Sequence, residues 1–135
     1  MSIFIDTSAL IALLDGDDPA HGSIREGWRS AVNEASGLVT TDYVLLEAVA
    51  VAQRRWGLHA VRTLTEEFLP LICVEQVSSE DRAAALIGLL AAGRRRLSLV
   101  DCVSFAFMRR TDVRDYLGLD PHFDQQGFTR YAPKS

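Results

Sequence analysis

Short apolar runs alternate with longer amphipathic stretches along the chain. Ile3 to Ile5 is typical of a buried strand, and the polar segment Asp6-Thr7-Ser8 then provides N-cap chemistry for a helix that begins at Ala9. The same alternation predicts strands over residues 3–5, 37–41, 71–74, 115–119 and 129–131. Helices are predicted over residues 9–14, 21–35, 43–56, 58–69, 79–92 and 98–110.

This order of elements predicts an α/β fold. A central parallel, twisted sheet of about five strands should be flanked by helices on both faces. The length of 135 residues fits a single domain over residues 1–135, because a chain of this size can bury a core of its own. Such sheets bind ligands beyond the carboxyl ends of their strands, where the strand order reverses. Polar residues that follow strands are therefore the first candidates for a site.

The composition is that of a globular protein, with 48% hydrophobic and 24% charged residues. The longest apolar run, Ala83 to Gly93, is shorter than the ~20 residues that a membrane-spanning helix needs. The first residues contain no basic segment that would indicate secretion, and two cysteines make no disulfide framework. We expect a cytoplasmic protein without a membrane partner.

The charge balance is acidic, with 18 acidic residues against 14 basic ones and a net charge of −4. This excess argues against a protein that simply coats nucleic acid. The basic residues are 13 arginines and one lysine, Lys134, so the lysine-containing P-loop motif is absent.

Four carboxylates occupy positions where a charge is costly to bury. Asp6 follows the first predicted strand, and Asp120 follows the predicted strand that ends at Leu119. Glu47 is the only charged residue between positions 43 and 52, and Asp101 is the only one between positions 99 and 103. A buried, unpaired carboxylate costs several kcal/mol, so these positions need a partner or a metal ion.

Each of these acids also has a purely structural interpretation. Asp6 and Asp120 are good N-caps, and Ser98 with Asp101 forms a capping-box pattern. Glu47 has no capping role in the middle of a helix, so a structural role would require an arginine partner from elsewhere in the chain. Asp124 lies in a polar segment that is typical of a solvated surface.

A cluster of hard oxygen ligands favours Mg²⁺ or Mn²⁺ over Zn²⁺. The three histidines, His21, His59 and His122, have no metal-ligand spacing. We therefore expect each histidine to be an isolated surface or half-buried side chain.

Four segments together resemble the PIN-domain nucleases and, within them, the VapC-type toxins of bacterial toxin–antitoxin pairs. The resemblance covers nearly the whole chain, and the four segments follow one another in the order of the family's motifs. They are Phe4-Ile5-Asp6-Thr7-Ser8, Thr40-Thr41-Asp42-Tyr43-Val44-Leu45-Leu46-Glu47, Leu97-Ser98-Leu99-Val100-Asp101, and Leu119-Asp120-Pro121-His122-Phe123 with Gly127-Phe128.

The last segment departs from the family's pattern in two places. Gly118 stands where the family often carries threonine, so a hydroxyl group that would support the site is missing, and Pro121 is an unusual neighbour for Asp120. Asp124 lies where relatives often have a second acid. It is therefore a candidate to share or replace the role of Asp120.

The resemblance implies a PIN-like fold and hydrolysis of RNA phosphodiester bonds with Mg²⁺ or Mn²⁺ as cofactor. Asp6, Glu47, Asp101 and Asp120 would hold the metal, and Thr7 or Ser8 would donate hydrogen bonds that orient these carboxylates. Without the four proposed ligands, the remaining acidic residues equal the basic residues in number. The acidic excess then belongs to the site and does not argue against RNA.

The expected partners are an RNA substrate, a cognate VapB-like antitoxin and a second copy of the chain in a homodimer. Arginine suits phosphate and stacks on bases, so the cluster Arg94-Arg95-Arg96, close to Asp101, is the favoured RNA contact. One alternative stays open. A catalytically inactive PIN-like module would bind RNA or protein, and it would bind no metal.

Overall fold

A parallel five-stranded sheet forms the centre of the protein, in a computed structural model that describes residues 1–34 and 37–133. The strands lie in the order β3-β2-β1-β4-β5, and each neighbouring pair is parallel. Their bounds are β1 Ser2–Ile5, β2 Gly37–Thr41, β3 Cys73–Glu75, β4 Asp115–Leu117 and β5 Thr129–Arg130. The predicted α/β class, strand number and strand direction are confirmed.

Seven α-helices connect these strands within the described part of the chain. They are α1 Thr7–Leu14, α2 His21–Glu34, α3 Asp42–Trp56, α4 Leu58–Thr63, α5 Ser79–Ala92, α6 Leu99–Thr111 and α7 His122–Gln125. Local chemistry sets their ends. Thr41 accepts a hydrogen bond from the backbone N–H of Val44 at the start of α3, and Gly93 takes a left-handed conformation, with φ 59°, at the end of α5.

Helices cover both faces of the sheet. Successive side chains of a strand point to opposite faces, and in β1 the residues Ile3, Phe4 and Ile5 are all completely buried. Helix α2 contacts β2 and β4, and α6 contacts β2, α3 and α5. Among the described residues, no helix combines the length and the apolar character needed to cross a membrane.

Several predicted elements have different bounds. The helix predicted to continue to residue 69 ends at Thr63 and passes into a π-helical turn, Leu64–Phe68, and a 3₁₀ turn, Leu69–Leu71. Pro70 has no N–H for continued α-helical bonding, and strand β3 therefore starts later than predicted, at Cys73. The predicted end of α2 at Ala35 lies outside the described residues.

Two differences concern the end of the sheet next to the predicted site. Strand β4 ends at Leu117 instead of residue 119, and β5 ends at Arg130 instead of residue 131. The short helix α7 was not predicted, because four residues are too few for an amphipathic pattern to be recognised.

An aromatic cluster anchors α7 to the core. The ring of Phe123 is completely buried, 4.7 Å from the ring centre of Tyr116 and 4.9 Å from that of Phe105. Phe4 and Phe128 lie on other sides of the same ring. The position of the segment after β4 is therefore fixed by core packing.

We predict that Phe123→Ala lowers the free energy of unfolding by about 3–5 kcal/mol, because it removes a buried ring from a packed cluster. Leu58→Ala is the matched control. Leu58 is 69% exposed, so its truncation should change stability by less than about 0.5 kcal/mol. Urea denaturation measures both values, and a similar small effect in the two variants would contradict this packing.

Candidate metal centre

An open cleft of about 390 Å³ lies at the carboxyl edge of the sheet, and its lining includes Asp6, Glu47, Asp101 and Asp120. Strands β2 and β4 lie on opposite sides of β1, so the strand order reverses between β1 and β4. Asp6 directly follows β1, and Asp120 lies three residues after β4. The topology therefore brings the four predicted ligands to the expected position.

Asp6 caps helix α1 and is almost completely buried. Its Oδ2 accepts hydrogen bonds from the backbone N–H of Ser8, at 3.3 Å, and from the Ser8 hydroxyl, at 2.6 Å. Burial raises the pKa of Asp6 to about 7, and the Ser8 hydrogen bonds oppose this shift. The negative charges of Asp101 and Asp120 contribute to the raised pKa of Asp6, and burial is the largest cause. Capping and a role in the cleft thus coexist in this residue.

The Ser8 hydroxyl links Asp6 to the segment that carries Asp120. Besides donating to Asp6, its Oγ accepts a hydrogen bond from the backbone N–H of Leu119 at 2.8 Å. A Cβ atom on Gly118 would lie 3.0 Å from both the Ser8 Oγ and the Asp6 Cβ. Ser8 therefore occupies the space that a side chain at position 118 would need, and it supplies a hydroxyl group in its place.

Asp101 belongs to a capping box at the start of α6. Its backbone N–H donates to the Ser98 Oγ, and its Oδ2 accepts from the Ser98 backbone N–H at 3.1 Å. Burial raises the pKa of Asp101 to about 6, and the nearby charges of Asp120 and Glu47 act in the same direction. One carboxylate oxygen is used by the cap, and the other carries no hydrogen bond from the described residues.

Glu47 projects from α3 into the same cleft and is half-buried. The structural interpretation of Glu47 required an arginine partner. Within residues 1–34 and 37–133, no arginine lies within ion-pair distance of Glu47. The structural interpretation of Glu47 therefore lacks the partner that it requires, and Glu47 contributes a negative charge to the cleft.

Asp120 and Asp124 have different surroundings. Asp120 lines the cleft, and its Oδ1 accepts a hydrogen bond from the backbone N–H of His122 at 2.9 Å. Asp124 is half-exposed outside this cleft; it accepts from the Tyr116 hydroxyl at 2.8 Å and lies 3.7 Å from Arg130. Asp124 is thus engaged with other groups in this structure, and its sharing or replacing the role of Asp120 stays a prediction.

Two buried polar atoms have no hydrogen-bond partner among the described residues, the Oγ1 of Thr7 and the Nδ1 of His122. Thr7 lines the cleft, but the orienting hydrogen bond to Asp6 comes from Ser8 alone. The expectation that His122 is isolated is wrong, because its Nδ1 lies 2.8 Å from the Asp120 Oδ1. The spacing of two residues between Asp120 and His122 was the available signal in the sequence.

The other two histidines agree with the expectation. His21 is half-buried and its Nδ1 lies 2.7 Å from the carbonyl oxygen of Ala12, while His59 is exposed.

The three arginines near the cleft are not equivalent. Arg96 lines the cleft, whereas Arg94 donates to the Gln125 Oε1 at 3.0 Å. Arg95 is exposed and is not part of the cleft lining. Of the predicted cluster, Arg96 has the placement expected of a phosphate contact.

The residues fit a divalent cation. Carboxylates from four chain segments line one cleft, and burial, together with the neighbouring negative charges, raises the pKa values of Asp6 and Asp101. Asp101, Asp120 and His122 offer ligand atoms that all lie within 4.8 Å of one another. A bound cation would offset this repulsion and provide a partner for the buried Nδ1 of His122.

The residues of the cleft lie within a recognised family domain. Residues 3–128 match the PIN domain, which is most of the chain. The chain belongs to the PIN domain family.

Individual proteins support the same relationship. The chain is 30% identical over 133 residues to the 23S rRNA-specific endonuclease VapC20 of Mycobacterium tuberculosis, with 98% of this chain and 99% of that protein covered. It is also similar to the crystal structure of that Sarcin-Ricin loop cleaving toxin, with a TM-score of 0.85, 29% identity, and 97% and 99% of the two chains covered.

A more distant structure shares the fold. It is the crystal structure of VapBC2 from Rickettsia felis bound to a DNA fragment from the VapBC2 promoter. The TM-score is 0.73 at 10% identity, and 96% of this PIN-domain chain and 97% of that chain are covered. At this identity the likeness concerns the fold alone.

We predict that the metal-free protein loses stability as the pH rises. An unfolded aspartate has a pKa of about 3.9, whereas burial raises the pKa of Asp6 to about 7 in the folded chain. Between these two pKa values the folded state therefore binds a proton that the unfolded state has released. The stability that this proton contributes is complete below about pH 4 and is lost as the pH rises to about 7. The slope is up to about 1.4 kcal/mol per pH unit for one carboxyl.

Denaturation in a chelator across this pH range measures the slope. Asp6→Asn is the comparison variant, because asparagine also caps a helix and carries no charge. Its free energy of unfolding should depend less steeply on pH than that of the unaltered protein. Equal slopes in the two proteins would contradict the raised pKa of Asp6.

Proposed function

We propose that this PIN-domain protein is a Mg²⁺- or Mn²⁺-dependent endoribonuclease and the toxin of a toxin–antitoxin pair. The observation that carries the proposal is the meeting of Asp6, Glu47, Asp101 and Asp120 at one cleft, with no arginine partner for Glu47 in the part of the chain that the structure describes. Full-length similarity to the 23S rRNA-specific endonuclease VapC20 supports the choice of RNA as substrate.

The chain's own residues divide the work of such a site. Asp6, Glu47, Asp101 and Asp120 would hold the cation, and Ser8 keeps the Asp6 carboxylate in place. When bound, the cation neutralises charge on the phosphate and lowers the pKa of the attacking water. Arg96, at the rim of the same cleft, is placed to bind a neighbouring phosphate of the RNA backbone.

The similarity to VapC20 also supports a proposal for the class of RNA that this chain cleaves. VapC20 is named for 23S rRNA and for the Sarcin-Ricin loop. We propose ribosomal RNA as the substrate of the present chain and a structured ribosomal hairpin as the first RNA to test. The open cleft suits this choice, because a nucleic-acid strand needs an accessible groove and cannot enter a closed cavity.

We further propose a cytoplasmic protein that forms a homodimer and is bound by a VapB-like antitoxin. Apolar side chains on α3 and α5 support a partner surface, since Leu46 is 71%, Ile87 71% and Leu90 80% exposed. Exposed apolar side chains that form a contiguous patch commonly mark protein contacts. The alternative function, an inactive PIN-like module, is less favoured, because such a module gains nothing from four clustered carboxylates.

We predict that the protein cleaves ribosomal RNA with Mg²⁺ or Mn²⁺ and loses this activity in a chelator. Asp6→Asn and Asp101→Asn should each lower the cleavage rate by at least about 100-fold, the scale expected when a group that stabilises transition-state charge is removed. Gel analysis of end-labelled RNA measures the rates.

Asp112→Asn is the matched control for these two variants. Asp112 is exposed outside the cleft and should keep the full rate. Cleavage that survives the chelator, or survives both cleft variants, would contradict the proposed nuclease. Calorimetric titration that detects no metal binding would favour the inactive module.

We predict that Arg96→Gln weakens RNA binding and flattens its salt dependence. Removing one phosphate contact should lower the slope of log affinity against log salt by about 0.7–0.9. Arg82→Gln, an exposed change on α5, is the control and should leave the slope unchanged. Filter binding with metal replaced by Ca²⁺ at several salt concentrations measures both, and an unaltered slope in Arg96→Gln would reject this contact.

A further inference from the structure

His122 is held beside Asp120 by the local backbone. Its backbone N–H donates to the Asp120 Oδ1 at 2.9 Å, which closes a tight turn across Pro121. The next residue, Phe123, is completely buried in the aromatic cluster. The backbone of His122 is therefore fixed on both sides, which limits the positions that its imidazole can take.

The imidazole Nδ1 is close to Asp120 without being hydrogen-bonded to it. Nδ1 lies 2.8 Å from the Asp120 Oδ1, which is within ion-pair distance, yet the direction of a hydrogen bond is not met and Nδ1 has no such partner among the described residues. The atom is also buried from solvent. Leaving a buried ring nitrogen without a partner is costly, so this arrangement calls for a ligand.

The spacing suits two ligands of one metal ion. In an octahedral site with metal–ligand bonds of about 2.1 Å, neighbouring ligand atoms are about 3 Å apart. The separation of 2.8 Å between Nδ1 and Oδ1 is close to this value. In addition, a carboxylate oxygen of Asp101, one of Asp120 and a ring nitrogen of His122 all lie within 4.8 Å of one another.

We propose that the Nδ1 of His122 binds the cation together with carboxylate oxygens of Asp101 and Asp120, and that this nitrogen ligand makes the site prefer Mn²⁺ to Mg²⁺. The proposal rests on the metal-dependent function proposed above and assigns it a further ligand. Mg²⁺ favours carboxylate, carbonyl and water oxygens; Mn²⁺ shares this preference for oxygen, but as a transition metal it also accepts the neutral imidazole nitrogen. A mixed set of nitrogen and oxygen ligands therefore discriminates between the two ions.

A role for His122 in positioning alone makes different predictions. If the imidazole served only to orient Asp120, its loss would weaken Mn²⁺ and Mg²⁺ binding to a similar extent. If the imidazole is a ligand, its removal lowers the affinity for Mn²⁺ more than the affinity for Mg²⁺. The Mn²⁺ bound to the unaltered protein then also carries the spectroscopic signature of a directly bonded nitrogen.

The test uses the full chain with Mn²⁺ and Mg²⁺ as separate probes. Pulsed electron paramagnetic resonance of the Mn²⁺-loaded protein detects nitrogen coupling, and calorimetry measures the affinity for each ion. His122→Asn is the main variant, because asparagine keeps a short polar side chain and the backbone N–H to Asp120. His59→Asn, at an exposed histidine of α4, is the matched control.

We expect nitrogen coupling in the unaltered protein and in His59→Asn, and its absence in His122→Asn. Mn²⁺ affinity should fall at least about tenfold in His122→Asn, the scale on which changes around a metal site act, while Mg²⁺ affinity should change by less than about threefold. Circular dichroism checks that the variant is folded, and His122→Gln provides a second variant for the same comparison.

Two results would overturn the proposal in distinguishable ways. Mn²⁺ binding without nitrogen coupling, or equal losses for both ions, would reject His122 as a ligand and leave the metal-dependent nuclease intact. Absence of Mn²⁺ binding to the unaltered protein would overturn the metal site itself and with it the proposed function.

Discussion

The burial of several negative charges at one edge of the sheet is the constraint on which the site depends. Asp6 is almost completely buried, and burial raises its pKa. The neighbouring charges of Asp101 and Asp120 act in the same direction. A protein that had to minimise its own free energy would replace such a carboxylate or pair it with a cation. The chain instead keeps Asp6, Asp101 and Glu47 at one cleft, where a divalent cation would relieve their repulsion.

The fold supplies the rigidity that this arrangement requires. Pairing of β1 with β4 brings the ends of the two strands together, and the Ser8 hydroxyl bridges Asp6 to the backbone of Leu119. The Phe123 ring anchors the other side of the Asp120 segment. Carboxylates that repel one another would otherwise move apart, so the hydrogen bonds and the aromatic core keep these acidic side chains at one cleft.

Local sequence signals predicted most of the fold and the acidic part of the site. Asp6 and Asp101 could be recognised because each combines a capping position with an apolar context, and Glu47 because a lone charge interrupts an apolar helix. Features that depend on contacts between distant segments were less predictable. The engagement of Asp124 by Tyr116 and the partner of Arg94 required knowledge of packing.

His122 escaped prediction for a related reason. Its closeness to Asp120 depends on the turn at Pro121 and on a four-residue helix, neither of which produces a periodic pattern. The surroundings of Gly118 were also not predictable from the sequence, because the space beside it is filled by Ser8 from a segment 110 residues earlier. Sequence patterns therefore located the acids, whereas the packing around them decided which groups assist.

The most direct test of the metal site is a crystal structure of the full chain grown with Mn²⁺, with anomalous scattering used to locate the ion. The account predicts an anomalous peak in the cleft within bonding distance of carboxylate oxygens from Asp101 and Asp120, on the side that Asp6 faces. A fully loaded crystal with no anomalous peak in this cleft, or with Mn²⁺ bound only elsewhere on the chain, would contradict it.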